Sequence, residues 1–167
     1  MNLLHSLRSS VARTVVAALL AIALGAAALA PAQALLDKSR FALHLGIAYF
    51  AFHRWVLKPY KTHAFDNGAP HRTATIVKGG VALLFAVHEV RVASKIAHLS
   101  KDPLLQKIAG GVDQLGASFG TVGQRLKGGQ FSPDDVSALD GATTSLGSAA
   151  AGAGAPIKDR PVAIPGL

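Results

Sequence analysis

Apolar positions recur along this chain at helical spacing, and no stretch alternates apolar and polar residues over a strand's length. Four helices follow from the pattern. The first covers about 36–58, where Pro59 should end or kink it, because the ring removes a hydrogen bond and crowds the preceding turn. DNGAPH (66–71) is a turn. The second helix covers 72–99, with an apolar stripe reading Val77, Val81, Leu84, Phe85, His88, Val92, Ile96 and Leu99. SKDP stops it and restarts the chain, with Pro103 suited to a first helical position.

The third helix, 103–127, has the cleanest period: Leu104, Ile108, Val112, Leu115, Phe119, Val122 and Leu126 form a seam for packing on another helix. Gly128-Gly129 ends it. The fourth, about 133–150, opens with Ser132 as cap and Asp135 in a capping-box position, while Phe131 and Val136 stand as a hydrophobic staple. Residues 156–167, with three prolines, read as an extended tail. The expected fold is all-α: two helical hairpins packed as a small antiparallel bundle over residues 35–155.

The N-terminus adds a segment of another kind. Arg8 and Arg13 precede the run VVAALLAIALGAAALA, and Ala32-Gln33-Ala34 fits a small-x-small cleavage site. Residues 1–34 therefore read as a signal peptide cleaved after Ala34, and the protein as secreted or extracytoplasmic. The alternative is a retained anchor helix, which would suit an accessory subunit of a membrane complex. Sixteen apolar residues are short for a span.

Composition narrows the chemistry. With no cysteine, the chain has no disulfide framework, thiol chemistry or cysteine-ligated metal. Charge is uneven: residues 35–107 hold eleven Lys and Arg against four acids, a balance of +7, while residues 108–167 hold four against five, a balance of −1. Such a basic half favours anionic partners, either lipid or a cell-wall polymer. Eleven glycines between Gly110 and Gly154 should make the second half loose, or fit it for close packing; each interior one costs a helix about 0.5–1 kcal/mol relative to alanine. That half is a candidate surface for a protein partner. Gly116 and Gly120 form a GxxxG that permits close helix approach.

The stretch FALHLGIAYFAFHRWVLKPYKTHAF (41–65) carries the candidate chemistry. As a membrane span its apolar part, residues 41–57, is short, and His44, His53 and Arg54 interrupt it. Its mix of aromatic and cationic side chains suits a surface helix better. Lys58, Lys61, Arg72 and Lys78 cluster about the first turn as the expected surface contact, with Trp55 and Tyr60 as anchors. As a metal or haem site it would use His53 and His88. In an antiparallel hairpin whose facing residue numbers sum to about 137, Tyr49 faces His88 and His53 lies one turn away. His44 and His53 are nine residues apart, on opposite sides of one helix.

No HExxH is present, since HEVRV lacks the second histidine, and there is no CxxCH. Gly116-Ala117-Ser118-Phe119-Gly120 matches GxSxG but sits within helical periodicity, without the strand that the motif needs. A single glutamate and dispersed aspartates leave no carboxylate pair for acid–base work. The expectation is a non-enzymatic protein with no cofactor and no nucleic-acid partner.

An alanine-rich leader followed by FALHLGIAYFAFHRWVLKPY, GAPHRTATIVKGGVALLFAVHE and a C-terminal IPG resembles small secreted proteins of actinomycetes. The resemblance covers most of residues 35–167. It implies export and one helical domain, and implies no activity, cofactor or site residue.

Overall fold

A computed structural model describes residues 32–167. The signal-peptide reading falls on residues 1–34, of which 1–31 lie outside the described residues. Residues 37–167 form one compact unit. The first helix, α1, is described over 32–61, followed by α2 (Arg72–Leu99), α3 (Pro103–Lys127) and α4 (Pro133–Gly152). The protein is an all-α bundle, and no strand occurs among the described residues.

Contacts between named residues set the topology. His44 meets Glu89 across α1–α2, and Ser94 meets Asp113 across α2–α3. Arg125 meets Asp135 across α3–α4, and the Tyr49 hydroxyl donates to the Thr143 carbonyl across α1–α4. Each neighbour in this ring runs antiparallel to the next. Phe41, Leu45 and Phe52 of α1 share the core with Leu83 of α2, Phe119 of α3 and Leu139 of α4, all 2% exposed or less.

Pro59 does not end α1. The turn His53–Leu57 widens to π geometry, and Lys58–Lys61 then returns to α. The Lys58 amide donates five residues back to His53. Widening the turn before a proline relieves the ring's clash with the carbonyl four residues earlier, so the helix passes through.

Helix α2 departs from expectation in which side it buries. The core takes Ile76, Ala82, Leu83, Ala86, Val87, Val90, Ala93 and Ala97. The stripe from Val77 to Leu99 is half-buried or exposed: Phe85 and Ile96 pack on the edge of the core, Leu84 lies against Gly123 of α3, and His88 and Leu99 are exposed. Small residues won because α3 comes very close: a Cβ on Gly80 would lie 2.8 Å from the Gly123 carbonyl oxygen and overlap the Lys127 backbone nitrogen. Gly116, of the GxxxG, faces Val90, at 3.1 Å from its would-be Cβ. Part of the glycine content is thus used inside the bundle.

The α3 cap is Asp102, whose carboxylate accepts from the Leu104 and Leu105 amides while Pro103 fills the first helical position. At α4 the expected capping box does not form. Ser132 makes no side-chain cap bond, and Asp135 is drawn 3.0 Å from Arg125. Phe131 packs on Tyr60 and Phe65 at the edge of the core.

The tail after α4 is extended and docked. Its Arg160 amide donates to the Gly46 carbonyl at 3.0 Å, and Ile164 is buried.

Candidate functional site

The first candidates are the basic residues near the α1–α2 turn. Lys58, Lys61 and Lys78 are exposed. Lys61 stands 3.9 Å from Asp140. Arg72 is spent internally: its Nε donates to the Phe65 carbonyl at 2.7 Å and ties the turn to the start of α2. Tyr60 leans on Phe131 and so belongs largely to packing. Trp55 is half-buried, with the Arg54 guanidinium 5.2 Å from its ring centre. Of the six residues read from sequence, Lys58 and Lys78 keep side chains available to a partner without an ionic or core commitment, while Trp55, like Tyr60, packs partly against the core.

The two candidate histidines have separate surroundings. His53 Nδ1 lies 2.9 Å from an Asp159 carboxylate oxygen in the tail. His88 is exposed on the outer side of α2. The register explains the separation: His44 opposite Glu89 makes facing numbers sum to 133 rather than 137. His53 then faces the level of Gly80, eight residues from His88, or about 12 Å along the axis. Tyr49 turns toward α4, not toward His88. Burial pushes its hydroxyl well above the ordinary tyrosine range, and the Asp159 charge adds to this. Among the described residues, no group of three or more His, Asp or Glu side chains could hold a metal ion, and no buried polar side-chain atom lacks a partner. The GxSxG serine sits inside α3, without a strand before it.

What the sequence reading missed is the outer side of α1 and α2. On α2 the residues His88, Arg91, Val92, Lys95, Ile96 and Leu99 share one side at helical spacing. Arg40 of α1 joins them around an open groove of about 560 Å³. Further along the same two helices lie half-buried Ile47, Phe50, Val77 and Val81. Leu43 and Leu99 are 45% and 72% exposed. Arg40, Arg54, Lys58, Lys78, Arg91 and Lys95 have no carboxylate partner among the described residues. By contrast Lys38, near the same end, is bound to Asp102 at 2.8 Å. The signal was present in the sequence as apolar residues on both sides of α2, which a single stripe could not absorb. A helix apolar on all sides needs cover on all sides. No described helix is long and apolar enough to cross a membrane.

No family model matches the chain, and neither a curated protein nor a solved structure matches it significantly.

Proposed function

We propose that this is a secreted, non-enzymatic helical protein that associates with the anionic surface of the cell envelope through the outer side of α1 and α2. The observation that carries the reading is the pairing of a half-exposed apolar strip with six cations that lack acidic partners among the described residues. An interfacial element needs both: apolar side chains to enter the headgroup boundary and cations to meet its charge. A Lys or Arg near an anionic membrane contributes about 1 kcal/mol, so six give roughly 6 kcal/mol. That alone corresponds to dissociation constants of roughly tens of micromolar. Leu43, Phe50 and Leu99 would add burial to it.

The expected exported form, residues 35–167, contains every buried core side chain among the described residues, from Phe41 to Ile164. It is the form to test. Co-sedimentation with vesicles containing phosphatidylglycerol, and with purified cell wall, should pellet the protein at low salt and release much of it at high salt. Full recovery in the supernatant at both salt levels defeats the proposal.

A further inference from the structure

One part of this surface has the shape of a site. Arg40, His88, Arg91 and Lys95 line the groove between the start of α1 and the end of α2, and Asp37 is the one acid among its lining residues. The Asp37 carboxylate already accepts from the Ser100 hydroxyl at 2.9 Å. Three cations therefore face one occupied carboxylate. Val92, Ile96 and Leu99, interleaved with these cations on the same side of α2, give the groove its apolar lining.

Resting on the surface reading above, we propose that this groove binds the phosphate headgroup of an anionic phospholipid, with the start of an acyl chain laid along Val92, Ile96 and Leu99. Two guanidinium groups offer planar forks that match phosphate oxygens, and Lys95 adds a point charge. The His88 ring, exposed at the rim, adds a polar nitrogen. The volume, about 560 Å³, lies within the usual range for small-ligand sites. Free phosphate would satisfy the cations and leave the apolar lining wet, whereas a lipid uses both. The spacing 88, 91, 92, 95, 96, 99 places charge and oil side by side on one helix, as a headgroup and its chain require.

The test uses residues 35–167 and short-chain, monomeric dihexanoyl phosphatidic acid, with binding followed by calorimetry. Two double variants remove the same charge, one in the groove and one on α3 away from this face: Arg91→Gln with Lys95→Gln, and Lys107→Gln with Lys127→Gln. All four residues are exposed, so both variants should fold, which circular dichroism checks. The groove variant should bind about tenfold or more weakly and the other within about twofold of wild type. Equal weakening in both overturns the site in favour of diffuse charge. Inorganic phosphate binding as tightly as the lipid overturns the lipid assignment. Wild type that pellets with phosphatidylglycerol vesicles but ignores the short-chain lipid defeats the groove while leaving the surface reading intact. Failure in both assays defeats both.

Discussion

The Arg160 amide donates to the Gly46 carbonyl, and this bond fixes the tail against the outside of α1. A Cβ on Gly46 would overlap the Lys158 carbonyl oxygen and come within 3.0 Å of the Arg160 side chain. Gly46→Ala should therefore lift the tail, and with it the His53–Asp159 pair. Loss of buried Ile164 costs about 1.5–3 kcal/mol. Trypsin cleavage after Lys158 should become much faster than in wild type, and denaturant unfolding should shift down. Unchanged proteolysis would mean that the tail is held without this contact.

Gly80 and Gly110 should respond to alanine in opposite directions. At Gly80 the new methyl meets the backbone of Gly123 and Lys127, which cannot turn aside. The α2–α3 pair must separate, at a cost of about 1–3 kcal/mol. At Gly110, inside α3, nothing lies within 4 Å. Gly110→Ala should stabilise by about 0.5–1 kcal/mol, because alanine loses less backbone freedom on entering a helix. Equilibrium unfolding of both variants decides it. Equal destabilisation would remove the close-approach account.

These two glycines also show what sequence could reveal. The helices themselves were legible, because Pro103, Pro133, Gly128-Gly129 and the turn at 66–71 punctuate them. The seam of α3 was legible from Val112 onward, whereas at its start Leu105 and Ala109 are buried and Leu104 is 46% exposed. On α2, size misled the reading: periodicity weights Val77 and Leu84, yet close approach selects Ala82, Ala86 and Ala93. The hairpin register slipped by about four residues, since the chain leaves α1 at Thr62 rather than at Asp66, and the midpoint of Thr62–His71, not of 66–71, sets the facing pairs. His53 and Asp159 lie 106 positions apart, and no local pattern announces such a pair. The groove was hidden for the same reason, because Arg40 joins Arg91 and Lys95 only through that register.

Acid should loosen the bundle at the α2–α3 turn. The Lys38 ammonium, hydrogen-bonded to Asp102, holds that carboxyl below its ordinary value of 3.8, and the Leu104 and Leu105 amides help. The Ser94 hydroxyl and His98 do the same for Asp113. A folded-state pKa below the unfolded one means that the unfolded chain takes up protons first as pH falls. The stabilisation is thus complete above the ordinary aspartate range and is lost as pH falls through the folded values. Unfolding free energy should hold steady from neutrality to about pH 5 and decline below about pH 4. Asp102→Asn should flatten part of that decline, and Asp102→Ala should in addition lose about 1 kcal/mol of capping at neutral pH. An Asp102→Asn profile parallel to wild type would show that the decline arises elsewhere.

At the alkaline end the relevant group is Tyr49. It is 6% exposed, and its hydroxyl donates to the Thr143 carbonyl at 2.7 Å. Ionisation would place a charge in the core, beside Asp159, and take away the donated proton. Its folded pKa is therefore raised above the unfolded one. Stability from this group is complete below the ordinary tyrosine value of 10.0 and drains away as pH rises beyond it, since only the unfolded chain then ionises freely. Tyr49→Phe keeps the ring and removes the hydroxyl. It should cost about 1 kcal/mol at neutral pH for the lost hydrogen bond, and unfold at a higher pH than wild type relative to its own neutral stability. The difference in tyrosinate absorbance between the two proteins isolates Tyr49 during an alkaline titration. That signal should rise together with loss of helical circular dichroism. A rise while the helices remain intact would show Tyr49 reaching water in the folded protein, and the α1–α4 contact would then be looser than its buried geometry requires.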